Sequence, residues 1–144
     1  MEEIVYKYID YKSEIFKQII ELRYKILFEP YGKIKKYDYD DLDPISEHLV
    51  ALDNGRVAGY SRLTNFNGKG EITNVVVNPE YVNKGIGSKM LNKHILKAKD
   101  CNIKGLCLHA RIDTVDFYKK AGFQCRGEVF ISEKSGLLLQ NMHL

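Results

Sequence analysis

Residues 75–88 read Val75-Val76-Val77-Asn78-Pro79-Glu80-Tyr81-Val82-Asn83-Lys84-Gly85-Ile86-Gly87-Ser88, which predicts a strand, a short loop and the first turn of a helix. Asn78-Pro79 ends the strand because proline has no backbone N–H to give to a sheet. The first turn of a helix carries unpaired N–H groups and the positive end of the helix dipole, and both attract phosphate. Glycine at positions 85 and 87 lets the backbone approach an anion without a Cβ in the way. The stretch therefore predicts a phosphate-binding loop, with the Ser88 hydroxyl as a further donor.

Two other phosphate motifs fit this loop poorly. A dinucleotide-binding G-x-G-x-x-G loop needs a third glycine, and position 90 is Met90. The chain also lacks the G-x-x-x-x-G-K-[ST] run of a P-loop. The pattern therefore favours a different class of phosphate ligand.

On either side of this loop, hydrophobic periodicity and turn residues predict the element order β-α-β-β-β-α-β-α-β-β. The strands are predicted at residues 4–9, 48–52, 57–63, 71–77, 106–110, 123–131 and 137–142. The helices are predicted at residues 13–28, with Ser13 as N-cap, at 85–99, and at 114–121 before Gly122 as the C′ residue. Asn54-Gly55 is a strong hairpin signal, and the strand–helix–strand unit over 71–110 implies a right-handed crossover with a parallel pair. We expect a single α/β domain over residues 1–144, with a mixed, mostly antiparallel sheet of about six or seven strands flanked by helices.

Composition argues against several classes of protein. The chain has 22 Lys and Arg against 19 Asp and Glu, interleaved along the sequence, so no nucleic-acid surface is predicted. The basic run 33–36 and the acidic run 38–43 are typical of a solvated loop. Three cysteines without a C-x-x-C motif indicate a reducing compartment, and no metal-ligand spacing links them to the four histidines. With neither a signal peptide nor an apolar run approaching ~20 residues, we expect a cytoplasmic protein, monomeric or homodimeric, with no membrane or metal partner.

Two motifs together carry a family resemblance. Val77-x-Pro79-x-Tyr81-x-x-Lys84-Gly85-Ile86-Gly87 resembles the acetyl-CoA pyrophosphate loop of the GNAT superfamily. Phe117-Tyr118-Lys119-Lys120-Ala121-Gly122-Phe123 resembles the family's helix-to-strand segment near the cofactor thiol. Further positions are similar to the ElaA/YjcF-like subgroup, namely Arg23, Phe28, Asp41, His48-Leu49-Val50, Gly127, Phe130, Gly136 and Met142. The resemblance implies the GNAT fold and transfer of an acetyl group from acetyl-CoA to a primary amine of a small molecule or protein, in a ternary complex without a metal.

The sequence departs from the family pattern in the loop and near the C-terminus. Val82 stands where relatives usually carry Gln or Arg, and Asn83 stands where Gly is frequent. Because backbone N–H groups hold the phosphates, we expect weaker binding of the cofactor rather than none. Leu139 replaces a histidine of the subgroup, and Arg111 and Thr114 also differ, which affects the prediction of the substrate more than that of the cofactor.

The resemblance also implies where the cofactor lies. The pyrophosphate is expected on the loop and helix start formed by Val82, Asn83, Lys84, Gly85, Ile86, Gly87 and Ser88. The pantetheine arm is expected along Val75-Val76-Val77, where a backbone N–H of Val76 or Val77 stabilises the oxyanion. Tyr118 is implied as a cofactor contact and as the acid that protonates the leaving thiolate. The apolar pattern by itself would make Tyr118 a core aromatic.

Removing a proton from the amine calls for a base, because an ammonium with a pKa of ~10.4 stays protonated at neutral pH. Glu71 is the candidate base, and it matches the position of a catalytic Glu in some GNAT histone acetyltransferases. Six residues of extended strand separate it from Val77, about 20 Å at ~3.3 Å per residue. His48, on the neighbouring predicted strand, is the alternative base. A solvated glutamate and a half-buried histidine are the ordinary interpretations of these two residues.

Arg23 and His48 are the candidates for contact with the acceptor substrate. Arg23 interrupts the apolar positions of the first predicted helix, so it either extends its charge to solvent or meets a carboxylate. The resemblance places that helix on the acceptor side. A second function stays open, a coenzyme A-binding module that senses acetyl-CoA or serves a partner without turnover. Glu71 and Tyr118 favour the enzyme, whereas Val82 and the altered C-terminal strand keep the module open.

Overall fold

The structure is a computed structural model that describes residues 3–32, 40–133 and 135–144. The basic run 33–36 and the start of the acidic run 38–43 lie outside the described residues. The strands are β1 (Val5–Ile9), β2 (Ser46–Asp53), β3 (Arg56–Phe66), β4 (Lys69–Val77), β5 (Gly105–Arg111), β6 (Gln124–Cys125), β7 (Phe130–Ile131) and β8 (Leu138–His143). The α-helices are α1 (Phe16–Arg23), α2 (Ile86–Asp100) and α3 (Val115–Lys120). A π-helix, Tyr24–Phe28, continues α1, and short 3-10 turns occur at Glu29–Tyr31, Asp43–Ile45, Pro79–Tyr81 and Ile112–Thr114.

The strands form one mixed sheet in the order β1-β2-β3-β4-β5-β8-β6, and β7 also pairs with β8. β4 and β5 are parallel, and the other strand pairs are antiparallel. The predicted α/β fold with a mostly antiparallel sheet and one parallel pair is confirmed. The described residues give eight strands rather than six or seven.

Two tight turns build the β2–β3–β4 meander. The β2–β3 turn places Asn54 at φ 49° and Gly55 at φ 82°, as the Asn-Gly signal predicts. The β3–β4 turn repeats this geometry at Asn67 and Gly68, with φ of 55° and 94°. Paired left-handed residues match the twist of the flanking strands, so both hairpins close in two residues. β4 therefore starts at Lys69, two residues before the predicted strand.

β4 and β5 separate after a short parallel contact. They pair only over residues 69–72 and 105–108, and the last pair joins Ile72 to Leu108. Beyond it, β4 continues to Val77 beside β3, while β5 continues to Arg111 beside β8. We call the gap between residues 73–77 and residues 109–111 the fork. The two strands thus diverge beyond Ile72 and Leu108.

A β-bulge bends β4 beside the fork. Tyr60 of β3 pairs with Val76, but Arg62 pairs with Thr73, so Asn74 and Val75 together face one residue of β3. Asn74 adopts a left-handed φ of 54°, which asparagine tolerates better than most residues. A bulge turns the edge of a strand and interrupts its hydrogen-bond ladder. The bend therefore helps to direct the last residues of β4 away from β5.

Helices cover both faces of the sheet. Phe16, Ile19 and Leu22 of α1 pack on one face with Val50, Tyr60 and Val76. α2 packs on the other face, where its buried residues include Ile86, Met90 and Leu91. α3 closes the end of that face with Tyr118 against Phe123. Residues 57–64 of β3 are all buried, which reflects this cover on two sides.

Two predicted elements are corrected by the structure. The first helix is α-helical only from Phe16, so Ser13 is not its N-cap, although the Ser13 carbonyl accepts a 3.0 Å hydrogen bond from the Phe16 N–H. The predicted strand 123–131 is two short strands, β6 and β7, rather than one. Gly127 lies between them at a φ of 73°, which an extended strand does not allow.

Candidate active site

A cavity of about 1070 Å³ opens at the fork. Its lining comes from residues 71–77 of β4, residues 108–111 of β5, the loop and first turn of α2, and Phe117 and Tyr118 of α3. Two further segments complete it. The first wall comprises residues 26–28, Tyr31, Asp40 and Leu42, and the second wall comprises residues 130–133, Ser135, Leu137 and Leu139. The cavity thus joins a helix N-terminus to the gap between two strands.

The start of α2 has the geometry of an anion site. Gly85 is the N-cap at a φ of 76°, and no side chain caps this end of the helix. Asn83 is also left-handed, with a φ of 63°. No acidic residue lies in the first turn, so nothing there repels a negative group. The unpaired N–H groups at this end therefore fit the diphosphate of coenzyme A.

The two glycines of the loop have different tasks. At Gly85 a Cβ would meet nothing within 4 Å, so glycine serves the left-handed backbone there. At Gly87 a Cβ would lie 3.3 Å from Cζ of Phe117, which requires the ring to give way. Gly87 therefore allows the first turn of α2 to approach α3 closely.

Most of the predicted cofactor residues line this one cavity. They are Val75, Val76, Val77, Val82, Asn83, Gly85, Ile86, Gly87, Ser88 and Tyr118. Lys84 is the exception, because it does not line the cavity. Its Nζ lies 5.7 Å from the centroid of the Tyr81 ring. Beyond Ile72, the side of β4 that faces β5 has no β5 partner, so backbone groups there are open to a ligand.

Tyr118 lies between the helix terminus and the fork. Its side chain is 8% exposed, and Phe117 and Phe123 hold the ring at centroid distances of 5.0 and 6.1 Å. Burial raises the pKa of Tyr118 to about 12, against the opposing effect of the Arg111 charge. The hydroxyl therefore keeps its proton at neutral pH and can donate a hydrogen bond to a ligand in the cavity.

Glu71 lines the same cavity in the paired part of β4. It is half-buried, and its backbone lies opposite Thr64 of β3 and Cys107 of β5. It therefore lies two residues before the fork begins at Thr73. The structure brings Glu71, Tyr118 and the α2 terminus to one cavity, as the sequence predicts for a single site.

Arg23 and His48 are buried and do not line the cavity, and their contact with the acceptor stays a prediction. Arg23 is fully buried, and its Nη1 lies 3.0 Å from Oδ1 of Asp43. His48 uses both ring nitrogens, one 2.8 Å from the Asp43 carbonyl oxygen and one 2.6 Å from the Tyr60 hydroxyl. Burial lowers the pKa of His48, which weakens it further as a base. Arg23 thus meets a carboxylate, one of the two outcomes that its apolar setting predicts.

Arg23 belongs to a buried group of four charges that the sequence does not reveal. Arg62 Nη1 lies 2.6 and 2.7 Å from the two carboxylate oxygens of Asp40 and 2.8 Å from Oδ1 of Asp43. Arg23 Nη2 also reaches Asp40, at 3.1 Å, and Arg62 Nε donates to the Thr73 hydroxyl at 3.0 Å. Burial would raise the pKa of Asp40, but hydrogen bonding and the charge of Arg62 lower it overall. This group, which we call the charge cluster, ties α1, β3 and the first wall of the cavity to β4.

Two further cavity residues lie on β5: His109, which the sequence interpretation did not select for the site, and Arg111, which it noted only as a departure from the family pattern. Leu106, Leu108 and Ala110 alternate with them and are buried. Strand periodicity therefore contained the signal that residues 109 and 111 face away from the core. The sequence did not show that this side of β5 lies beside the fork.

The geometry defines a class of protein that holds an extended anionic ligand between a helix N-terminus and two diverging strands. The chain belongs to the acetyltransferase (GNAT) family, whose model matches residues 15–123. The resemblance to this family is confirmed, and membership makes the chain an N-acetyltransferase by family.

Individual relatives agree with the predicted subgroup. The chain is 25% identical over 116 residues to the uncharacterized N-acetyltransferase YjcF of Bacillus subtilis (strain 168), covering 81% of this chain and 83% of that protein. The crystal structure of Escherichia coli ElaA has the same fold, with a TM-score of 0.85 at 17% identity over 96% of this chain and 98% of that one. A GNAT family acetyltransferase from Elizabethkingia anophelis, crystallised with acetyl-CoA bound, has a TM-score of 0.75 at 20% identity over 100% and 99% of the two chains.

The described ranges also bear on two other kinds of partner, metal ions and membranes. No three side chains of His, Cys, Asp or Glu within these ranges come together in the way a metal site requires. None of the helices in the described part of the chain has the length and apolar character needed to cross a membrane.

Proposed function

We propose that this chain transfers the acetyl group of acetyl-CoA directly to a primary amine, without a covalent enzyme intermediate. One observation carries the proposal: an uncapped helix N-terminus, an open strand edge and a buried tyrosine line the same cavity. The first fits a diphosphate, the second fits the amides of a pantetheine arm, and the third fits a leaving thiolate. Acetyl-CoA supplies an activated acetyl thioester at this place.

The residues of the chain would divide the chemistry among them. The N–C bond forms as the C–S bond breaks, the amine gives up a proton to a base, and the sulfur receives one from Tyr118. Backbone N–H groups of Val76 or Val77 would stabilise charge on the carbonyl oxygen, an effect typically worth ~2.7–4 kcal/mol of barrier. Glu71 lies at the acceptor end of the cavity, where its carboxylate attracts an ammonium group.

The acceptor we propose is a primary amine on an apolar body. Phe28 and Tyr31 belong to the first wall, and Phe130 and Leu139 belong to the second. Such side chains favour an apolar ligand, because burying its surface contributes ~25 cal/mol per Å². Glu71 and the second-wall residue Glu133 add negative charge to the same cavity, which suits a cation.

Thiol release tests the proposed function. Purified protein is given acetyl-CoA and, in separate wells, phenylethylamine, polyamines, amino acids, aminoglycosides and lysine peptides, and free thiol is measured. We expect release above the rate without acceptor for at least one amine, with an acetylated product of the matching mass. Binding of CoA without thiol release in any well would instead support the coenzyme A-binding module.

A further inference from the structure

His109 lies at the opening of the fork. The last β4–β5 pair joins Ile72 to Leu108, so His109 is the first residue of β5 past the contact. Leu108 and Ala110 are buried in the core beneath α2 and α3. Because side chains alternate along a strand, His109 faces the other way, on the side where Glu71 lies opposite Cys107.

The His109 ring forms part of the cavity and is accessible. It is exposed, and it contacts Phe130 edge-on at a centroid distance of 5.3 Å, which limits its orientation. No hydrogen bond to its ring nitrogens is found from the described residues. His48 and His94 differ, because each is buried with both ring nitrogens engaged. His109 is thus the histidine that a ligand in the cavity can reach.

The position of His109 along the sheet favours it over Glu71 for contact with the reacting nitrogen. Glu71 lies within the paired segment, whereas His109 lies one residue beyond Leu108, the last paired residue of β5. His109 is two residues, about 7 Å of strand, further along β5 than Cys107, which is the partner of Glu71, and it therefore lies beside the open part of the fork. Imidazole is also the side chain whose ordinary pKa lies nearest to neutral pH, which suits a general base.

Resting on the proposed function, we infer that His109 takes the proton of the attacking amine, while Glu71 holds the amine near it by charge. The amine reaches the site as ammonium and loses two protons on the way to the amide. The first passes through the neutral His109 imidazole to solvent and frees the nitrogen lone pair. The imidazole then accepts the second proton as the N–C bond forms and the C–S bond breaks. The proton then passes to solvent, because the ring is exposed.

Other charged groups share the cavity with His109 and bear on its pH dependence. Glu71 of β4 and Glu133 of the second wall are acidic. Arg111 of the same strand is basic, and the charge of Arg62 is paired with Asp40. On β8, the residue opposite His109 is the uncharged Asn141.

The test compares His109→Gln, His109→Ala and the control His143→Gln, which changes a half-buried histidine on β8 outside the cavity. Turnover is measured from pH 5.5 to 9 at saturating acetyl-CoA, with phenylethylamine and with the best acceptor of the screen. We expect His109→Gln to lower kcat by about 10²-fold at pH 7, as loss of a general base does, and to remove the acidic limb of the profile. The KM for acetyl-CoA should change less than about twofold, and added imidazole should restore part of the turnover of His109→Ala.

Two results would overturn the inference. Turnover of His109→Gln within about threefold of the unmodified protein, with the acidic limb intact, would remove His109 from proton transfer. Loss of that limb in Glu71→Gln but not in His109→Gln would assign the base to Glu71. If the unmodified protein releases no thiol with any amine, the proposed function itself fails, and the role of His109 fails with it. Circular dichroism melting of each variant checks folding, which the exposed position of His109 should leave unaffected.

Discussion

The Gly85→Glu variant tests the binding of a diphosphate at the start of α2. Gly85 is the N-cap, and a Cβ there meets nothing within 4 Å, so the first atom of the new side chain is accommodated. It brings a negative charge to the place proposed for the phosphates. Two unit charges about 4 Å apart repel by ~1 kcal/mol in water and ~4 kcal/mol near a protein surface, which corresponds to a rise in Kd of about fivefold to a thousandfold.

The expected size of the effect can be read as a melting shift. At 100 times its Kd, CoA stabilises the unmodified protein by ~2.7 kcal/mol. For a chain of this size, we take ~3 °C per kcal/mol, so the melting temperature should rise by about 8 °C. For a repulsion of ~2.5 kcal/mol, midway between these two values, the same concentration of CoA should raise the melting temperature of Gly85→Glu by only about 2 °C.

Two further variants separate charge from backbone strain. Gly85→Gln places a neutral side chain of the same shape on the same left-handed backbone. Gly127→Glu places the charge at another left-handed glycine, with a φ of 73° against 76° at Gly85, outside the cavity. All three should melt lower without ligand, because a left-handed residue with a Cβ costs ~1–2 kcal/mol. Only Gly85→Glu should lose most of the CoA shift.

Differential scanning fluorimetry, with and without CoA, measures these shifts, and isothermal titration calorimetry gives the Kd values. An equal CoA shift in Gly85→Glu and in the unmodified protein would refute phosphate binding at this helix terminus. An equal loss in Gly85→Gln would attribute the effect to the backbone rather than to charge.

Four further changes test other parts of the structure. Tyr118→Phe should lower kcat by about 10²-fold and leave the Kd for CoA nearly unchanged, because it removes a proton donor but keeps the ring; unchanged turnover would assign Tyr118 to packing. Glu71→Gln should raise the KM for a cationic amine by several-fold with little effect on the pH profile, and an unchanged KM would show that its charge does not attract the substrate. Asp43→Asn should lower the melting temperature by about 10–15 °C, because removing one partner from a buried ion pair costs ~3–5 kcal/mol, and a drop of under ~3 °C would contradict the coupling. Burial lowers the pKa of His94 to about 3, so the neutral ring contributes stability that is present above pH 6.5 and is lost as the pH falls toward 3. In urea denaturation, His94→Gln should lose less stability than the unmodified protein between pH 6.5 and 4.5, whereas the control His143→Gln should not.

Local signals made most of the fold predictable from the sequence. Asn54-Gly55 specifies a turn with two left-handed residues, and the structure has that turn. Gly85 and Gly87 marked the start of α2 to within one residue. The interrupted strand was harder to predict, because the apolar residues at 123–131 continue across Gly127, while the break depends on the backbone at that one position. The hydrophobic pattern predicts one continuous strand, but the left-handed backbone at Gly127 interrupts it.

The candidate site was only partly predictable, for a related reason. Most residues of its cofactor half lie on one continuous segment, residues 75–88. Their closeness in space therefore follows from their closeness in the sequence. Its acceptor half is assembled from segments far apart in the chain, and no local pattern shows that His109 and Phe130 meet. Nor does any local pattern show that the Arg23 side chain pairs with Asp43, which lies twenty residues further along the chain. Such pairings depend on tertiary packing, which a single sequence does not display.

The charge cluster has a consequence for how this protein can change over generations. Two guanidinium groups and two carboxylates neutralise one another, and three of the four side chains are less than 5% exposed. Losing any one of them leaves an unbalanced charge away from water, so a lineage cannot replace Arg23, Asp40, Asp43 or Arg62 one at a time without a penalty. Descendants should therefore either keep all four or lose them as a set in favour of apolar side chains.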